Sequence, residues 1–170
     1  MTVQQAGAAR DAAGRWLERV CRWFAVVGGA VLVGMTLMSV ASITGRSLFG
    51  KPVPGDFELI QIGTAICVAA FLPWCQMQRG NIIVDFFTAR TSVRTQAWLD
   101  VFGALLLAAV MLLVAWRTGV GALAVKASGE TSMIMGFPSW IGYAFMAPGF
   151  ALTALAGLYT AHDAWRGRNA

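Results

Sequence analysis

The stretch Glu58–Asp85 reads ELIQIGTAICVAAFLPWCQMQRGNIIVD. An acid opens it, residues Leu59 to Gln78 carry no formal charge, and Arg79 and Gly80 close the run. About 20 mostly apolar residues make one helix across a hydrocarbon layer of ~30 Å. The stretch therefore reads as a membrane span with charged residues at both exits.

The bulk composition agrees. The chain of 170 residues is 58% hydrophobic and only 12% charged, with a mean hydropathy of +0.65. Water-soluble domains carry about a quarter charged residues. Half that number leaves too little polar surface for a globule in water, so the chain reads as an integral membrane protein. The net charge of +5 does not mark a nucleic-acid binder, because the basic residues sit at the ends of apolar runs and form no basic face. Such flanking is expected from insertion bias and anionic lipid.

Working outward, three more uncharged runs appear. Span one covers about 24–44, span two 59–78, span three 98–116 and span four 139–160, giving an all-α fold of four transmembrane helices. Residues 1–22 form an N-terminal tail and an amphipathic helix. In it Arg15, Arg19 and Arg22 share one face, and Trp16, Val20 and Trp23 another, a pattern suited to the membrane surface. The spread arginines and the long first apolar run are expected to mark a retained span rather than a signal peptide. Residues 79–98 join spans two and three. Ile82, Ile83, Phe86 and Phe87 predict a short helix lying in the interface, with Asp85 capping it or pairing with Arg79 or Arg90. Residues 163–170 are a polar tail.

Small residues mark packing faces. Gly149, Thr153, Gly157 and Ala161 step by four along span four, a stripe that lets another helix approach closely. Gly28, Gly29, Ala30 and Gly34 give one side of span one a small-residue surface, in which Ala30 and Gly34 form a weaker pair of this kind. Span three is featureless apolar helix. Pro73 and Pro148 are expected to kink their spans. Trp140 and Tyr143 mark one interface, Tyr159 and Trp165 the other.

Topology follows from the basic residues. The two ends and the 79–98 connection hold nine of them, and the other two loops hold Arg46, Lys51, Arg117 and Lys126. The bias places both termini in the cytoplasm. Loops 45–58 and 117–138, with Asp56, Glu58 and Glu130, then face outward. Glu58 and Glu130 are candidates to pair with basic groups of a partner chain, or to favour a helix dipole.

Chemistry is sparse. No Asp, Glu, Lys, Arg or His lies in the middle of a span, where a charge costs ~2.5–3.5 kcal/mol and persists for function. Cys21, Cys67 and Cys75 have no C-x-x-C spacing. The single histidine, His162, cannot supply the paired axial imidazoles of a b-type cytochrome. No nucleophile elbow, phosphate loop or metal spacing appears. The chain reads as neither an enzyme nor a cofactor or metal binder, but as an accessory membrane subunit. The competing reading is a self-contained small transporter working as a homo-oligomer.

Two stretches go further. Glu58 with RGNIIVD at the exit of span two, and ETSMIMGFPSWIGYAFMAPG at the start of span four, resemble the small-permease, DctQ-like subunits of tripartite ATP-independent periplasmic (TRAP) transporters. The second motif places Glu130, Ser132, Pro138, Trp140, Tyr143, Pro148 and Gly149. The family usually has histidine after the first motif's glycine, where this chain has Asn81. The resemblance implies a large permease partner of about twelve spans that holds the substrate and sodium sites. It also implies a periplasmic binding protein that delivers an organic acid, and a bacterial inner-membrane location. Expected partner or scaffold contacts are Glu58, Arg79, Asp85, Glu130, Trp140, Tyr143, Gly149, Thr153 and Gly157.

Overall fold

A computed structural model describes residues 12–78 and 93–167, without the side chains of 93–97 and 167. Four helices account for most of it: α1 Ala12–Phe49, α2 Asp56–Met77, α3 Val93–Ser128 and α4 Trp140–Gly167. All four are long and apolar enough to cross a membrane, and no strand occurs among the described residues.

The observed helices outrun the apolar runs that seeded them. At 1.5 Å per residue, α1 is about 57 Å long and α2 about 33 Å. The amphipathic start of α1 is continuous with its span. Its last turns, past Ser42, extend beyond the first residue of α2 and leave Leu48 and Phe49 exposed. Residues 93–98, read as the end of an interfacial segment, belong to the helix of span three. The remainder of that segment, with Arg79, Asn81 and Asp85, lies outside the described residues. Pro73 and Pro148 both sit inside unbroken helices.

The helices stand in an open row. α1 packs on α2, α2 on α4, and α4 on α3, with a minor contact between α1 and α4. Among the described residues α3 meets only α4. Each contact line is made of small residues, because in lipid the attraction between helices is close packing rather than removal from water.

The α2–α4 line is the tightest. A side-chain carbon on Gly149 would collide with the carbonyl oxygen and carbon of Ala69. That carbonyl has lost its helical amide partner, because Pro73 stands four residues on and has no N–H. The bare Gly149 backbone covers it, and a glycine Cα–H can serve as a weak donor there. Thr153, fully buried on the next turn, returns its hydroxyl to the carbonyl of Gly149 at 2.8 Å. Near the far end of the same line, Gln76 Nε2 donates to Thr160 Oγ1 at 2.9 Å, with both side chains buried.

The other two lines follow the same rule. Gly157 faces Ala104 and Ala108 of α3. Val101, Ala108, Ala115 and Ala122 are buried at seven-residue spacing along α3, with Ala104 beside them, the period of a shallow left-handed helix crossing. Span three thus hides an alanine seam that its featureless sequence concealed. On α1 it is Gly28 that meets α2, against Ala70 and Phe71, and Cys67 donates its S–H to the Gly28 carbonyl at 3.3 Å. Ala30 is exposed and a side chain on Gly34 would meet open space, so the expected Ala30–Gly34 pair packs against no helix among the described residues.

At the end holding the start of α1 and the end of α4, Leu17, Cys21, Met77, Leu152 and Ala156 form a buried cluster. Gly14 lies against Tyr159, and Trp98 meets Trp165 edge to face at 5.4 Å. The two ends of the described chain therefore lie at the same end of the row.

This packing makes unequal demands on glycine. Gly149→Ala must push α2 and α4 apart and is expected to lower stability by about 1–3 kcal/mol. Gly34→Ala meets open space and should be neutral, or stabilising by up to ~1 kcal/mol through helix propensity. Thermal melting of both variants in the same detergent checks this; equal midpoints would contradict it.

Candidate functional site

Polar chemistry collects at the opposite end, where the α1–α2 turn meets the loop between α3 and α4. The turn needs glycine at Gly50 and Gly55, which have φ of 65° and 73°. Ser42 locks it. Its buried hydroxyl donates to Asp56 Oδ2 at 2.6 Å and accepts the Val53 N–H at 3.3 Å. Asp56 also accepts the Phe57 N–H at 2.9 Å. Its contact with Arg46 is loose, at 3.7 Å and on the surface, and adds little. The Ser42 hydroxyl is the main cause that holds the Asp56 carboxyl below its usual range.

The loop 129–139 is a small closed hairpin. Thr131 and Pro138 bridge, Ser132 N–H donates to the Phe137 carbonyl at 2.8 Å, and Ser139 N–H donates to the Glu130 carbonyl at 3.1 Å. Gly129 and Gly136 take left-handed φ of 66° and 64°. The tip is apolar and bare: Met133 is fully exposed, with Ile134 and Met135 partly so.

Glu58 ties this loop to α2. Its two carboxylate oxygens accept the N–H groups of Ile134 at 3.0 Å and Met135 at 3.3 Å. The Ser132 hydroxyl is the largest cause lowering the Glu58 pKa; desolvation opposes it, and the backbone amides of Ile134 and Met135 add to the lowering. Ser132 is held for that task, because its oxygen accepts the Phe137 N–H at 3.2 Å. Met135 in turn covers Gly55, where any side chain would collide with it.

Beneath the loop, α2 and α4 part around a cavity of about 420 Å³. Glu58, Gln61, Glu130, Thr131 and Ser139 give it polar lining, and Ile62, Ala65 and Met146 apolar lining, with Tyr143 among them. Two carboxylates and no basic side chain line it. Lys126 lies over the Trp140 ring, 5.0 Å from its centroid, beside the cavity.

The structure thus brings Glu58, Glu130 and Tyr143 together, with Trp140 adjacent. Gly149, Thr153 and Gly157 lie deeper, in contacts with α2 and α3 of the same chain. Arg79 and Asp85 lie outside the described residues. Sequence reasoning missed Ser42 and the pair Gln76–Thr160. It noted Ser132 only as part of a motif. No local sequence signal marks Ser42, which lies 14 residues before Asp56 on another helix. No group of three or more metal-ligating side chains occurs among the described residues.

Residues 35–167 match the family model of the tripartite ATP-independent periplasmic transporters, DctQ component. The chain belongs to this DctQ family. A DctQ chain is a small membrane subunit of a TRAP transporter, and the four apolar helices fit a multi-pass membrane protein. The match includes all of the loop and cavity residues, from Glu58 to Met146. No curated protein and no solved structure shows a significant match.

The Glu58 tether in this DctQ chain should respond to acid. Its folded pKa is depressed, so its contribution is complete above the ordinary glutamate value of about 4.3. It is lost as pH falls through the lower folded value. Amide exchange at Ile134 and Met135, corrected for intrinsic pH effects, should therefore accelerate on acidification. Glu58→Gln should show the accelerated exchange already at pH 7. Unchanged protection in that variant would contradict the tether.

Proposed function

We propose that this chain scaffolds the large permease subunit of a TRAP transporter, for sodium-coupled uptake of an organic acid delivered by a periplasmic binding protein. The observation that carries the reading is the open row of helices with uncharged interiors. α1 and α3 expose large apolar side chains along their lengths, among them Val33, Leu37 and Val40 on α1 and Leu106, Leu113 and Val120 on α3. A row presents more side surface than a closed bundle of equal size, and that suits a static frame beside a large moving partner. The spans offer no charged residue at mid-depth, so ion and substrate sites belong to the partner.

The proposed location is a bacterial inner membrane with both termini cytoplasmic. The distribution of basic residues supports this orientation. The cavity end then faces the periplasm, where the delivering protein arrives.

Two measurements test the reading. Deleting this chain should abolish uptake by cells that retain the permease and the binding protein, and the chain alone in liposomes should transport nothing. Uptake that survives deletion would refute the scaffold role. For orientation, a C-terminal alkaline phosphatase fusion should be inactive and a C-terminal fluorescent-protein fusion bright; the reverse pattern would invert the topology.

A further inference from the structure

We propose that the cavity between α2, α4 and the loop 129–139 is a headgroup site for an ethanolamine phospholipid. Its volume of about 420 Å³ lies in the range of small-molecule sites. Its lining is graded along the helices. Glu58, Glu130 and Ser139 stand at the outer rim, Gln61 and Ile62 lie about one turn further along α2, and Ala65 and Met146 lie about two turns deeper. A lipid has that same order, polar head outermost and acyl chain inward.

The donor and acceptor inventory selects the headgroup. With two carboxylates and no basic side chain in the lining, an anionic headgroup is repelled and a cation attracted. Glu58 already accepts backbone amides. The Glu130 carboxylate makes no side-chain hydrogen bond among the described residues, and it stands exposed at the rim. An ammonium with three N–H groups can bond directly to it. A choline headgroup carries no N–H, and its usual recognition needs a cage of aromatic rings; Tyr143 is the one aromatic ring in this lining. Gln61, Thr131 and Ser139 supply neutral donors for the lipid phosphate. The level is right as well, because Trp140 and Tyr143 are amphipathic side chains of the kind that settle among headgroups.

The test uses the full-length purified chain in nanodiscs of equimolar phosphatidylethanolamine, phosphatidylcholine and phosphatidylglycerol, with retained lipids counted by native mass spectrometry. One phosphatidylethanolamine should be retained about tenfold over phosphatidylcholine, a factor equal to ~1.4 kcal/mol. Retention should fall stepwise through the N-methyl and N,N-dimethyl lipids as N–H groups are removed. Glu130→Gln should bring the three lipids to parity without changing the melting temperature in lipid-free micelles, since the main-chain bonds of Glu130 remain. Equal retention of ethanolamine and choline lipids by the unaltered chain would overturn the proposal, as would a preference for phosphatidylglycerol. The same holds if E130Q keeps its lipid preference but no longer co-purifies with a large permease; the cavity would then receive a basic side chain of that protein.

Discussion

The fold depends on one close approach, where the backbone of Gly149 in α4 covers the Ala69 carbonyl of α2. Pro73 deprives that carbonyl of its helical amide, and a bare carbonyl in hydrocarbon costs several kcal/mol unless something covers it. A proline in one helix and a glycine in another thus form one device. The proline exposes a polar atom, and the glycine lets a neighbouring backbone come near enough to shield it. Thr153 completes the seam by returning its own hydroxyl to its helix, so no polar side chain is left facing lipid there. α1 and α3 then attach to the outer sides of this central pair, each through small residues.

Polar chemistry is distributed by depth. Within the spans, buried hydroxyl, thiol and amide groups bond within the chain, such as Thr153 to Gly149 and Cys67 to Gly28 deep in the helices and Gln76 to Thr160 near their ends. Carboxylates appear where the helices leave the hydrocarbon, and there they organise loops. Asp56 gathers the α1–α2 turn through Ser42, and Glu58 gathers the α3–α4 loop through Ser132 and two amides. Both acids stand in the first turn of α2, where the helix dipole also favours negative charge. One short stretch, DFE at 56–58, therefore fixes both loops at that end of the molecule.

The sequence was most readable where hydrophobicity alone decides the outcome. Four uncharged runs gave four helices, because length across a bilayer is a one-dimensional constraint. Helix ends were less readable. α1 and α3 continue well past the hydrocarbon, and periodic amphipathic sequence such as 12–23 does not announce where it leaves the membrane. The order of helices in the row was not readable at all. Glycine and alanine pack equally well against any near neighbour, so the Gly149–Gly157 stripe showed that a partner exists without saying that α2 and α3 share it. Ala30 and Gly34 have the same spacing and face no other helix among the described residues. Of the candidate site, the acids Glu58 and Glu130 were visible as helix-end charges. That they border one cavity depends on the loop hairpin, whose closure rests on Ser132 and two left-handed glycines rather than on any hydrophobic pattern.

The open row has a consequence for how such a chain is made. α1 with α2, and α3 with α4, are each neighbours in sequence and in space, and the two pairs join mainly along the α2–α4 seam, with the minor α1–α4 contact beside it. Each hairpin can therefore complete its own contacts as it leaves the ribosome and enters the bilayer, with no need to wait for the other. The long-range step is then a single lateral docking of two preassembled halves, confined to the membrane plane and guided by one glycine and one proline.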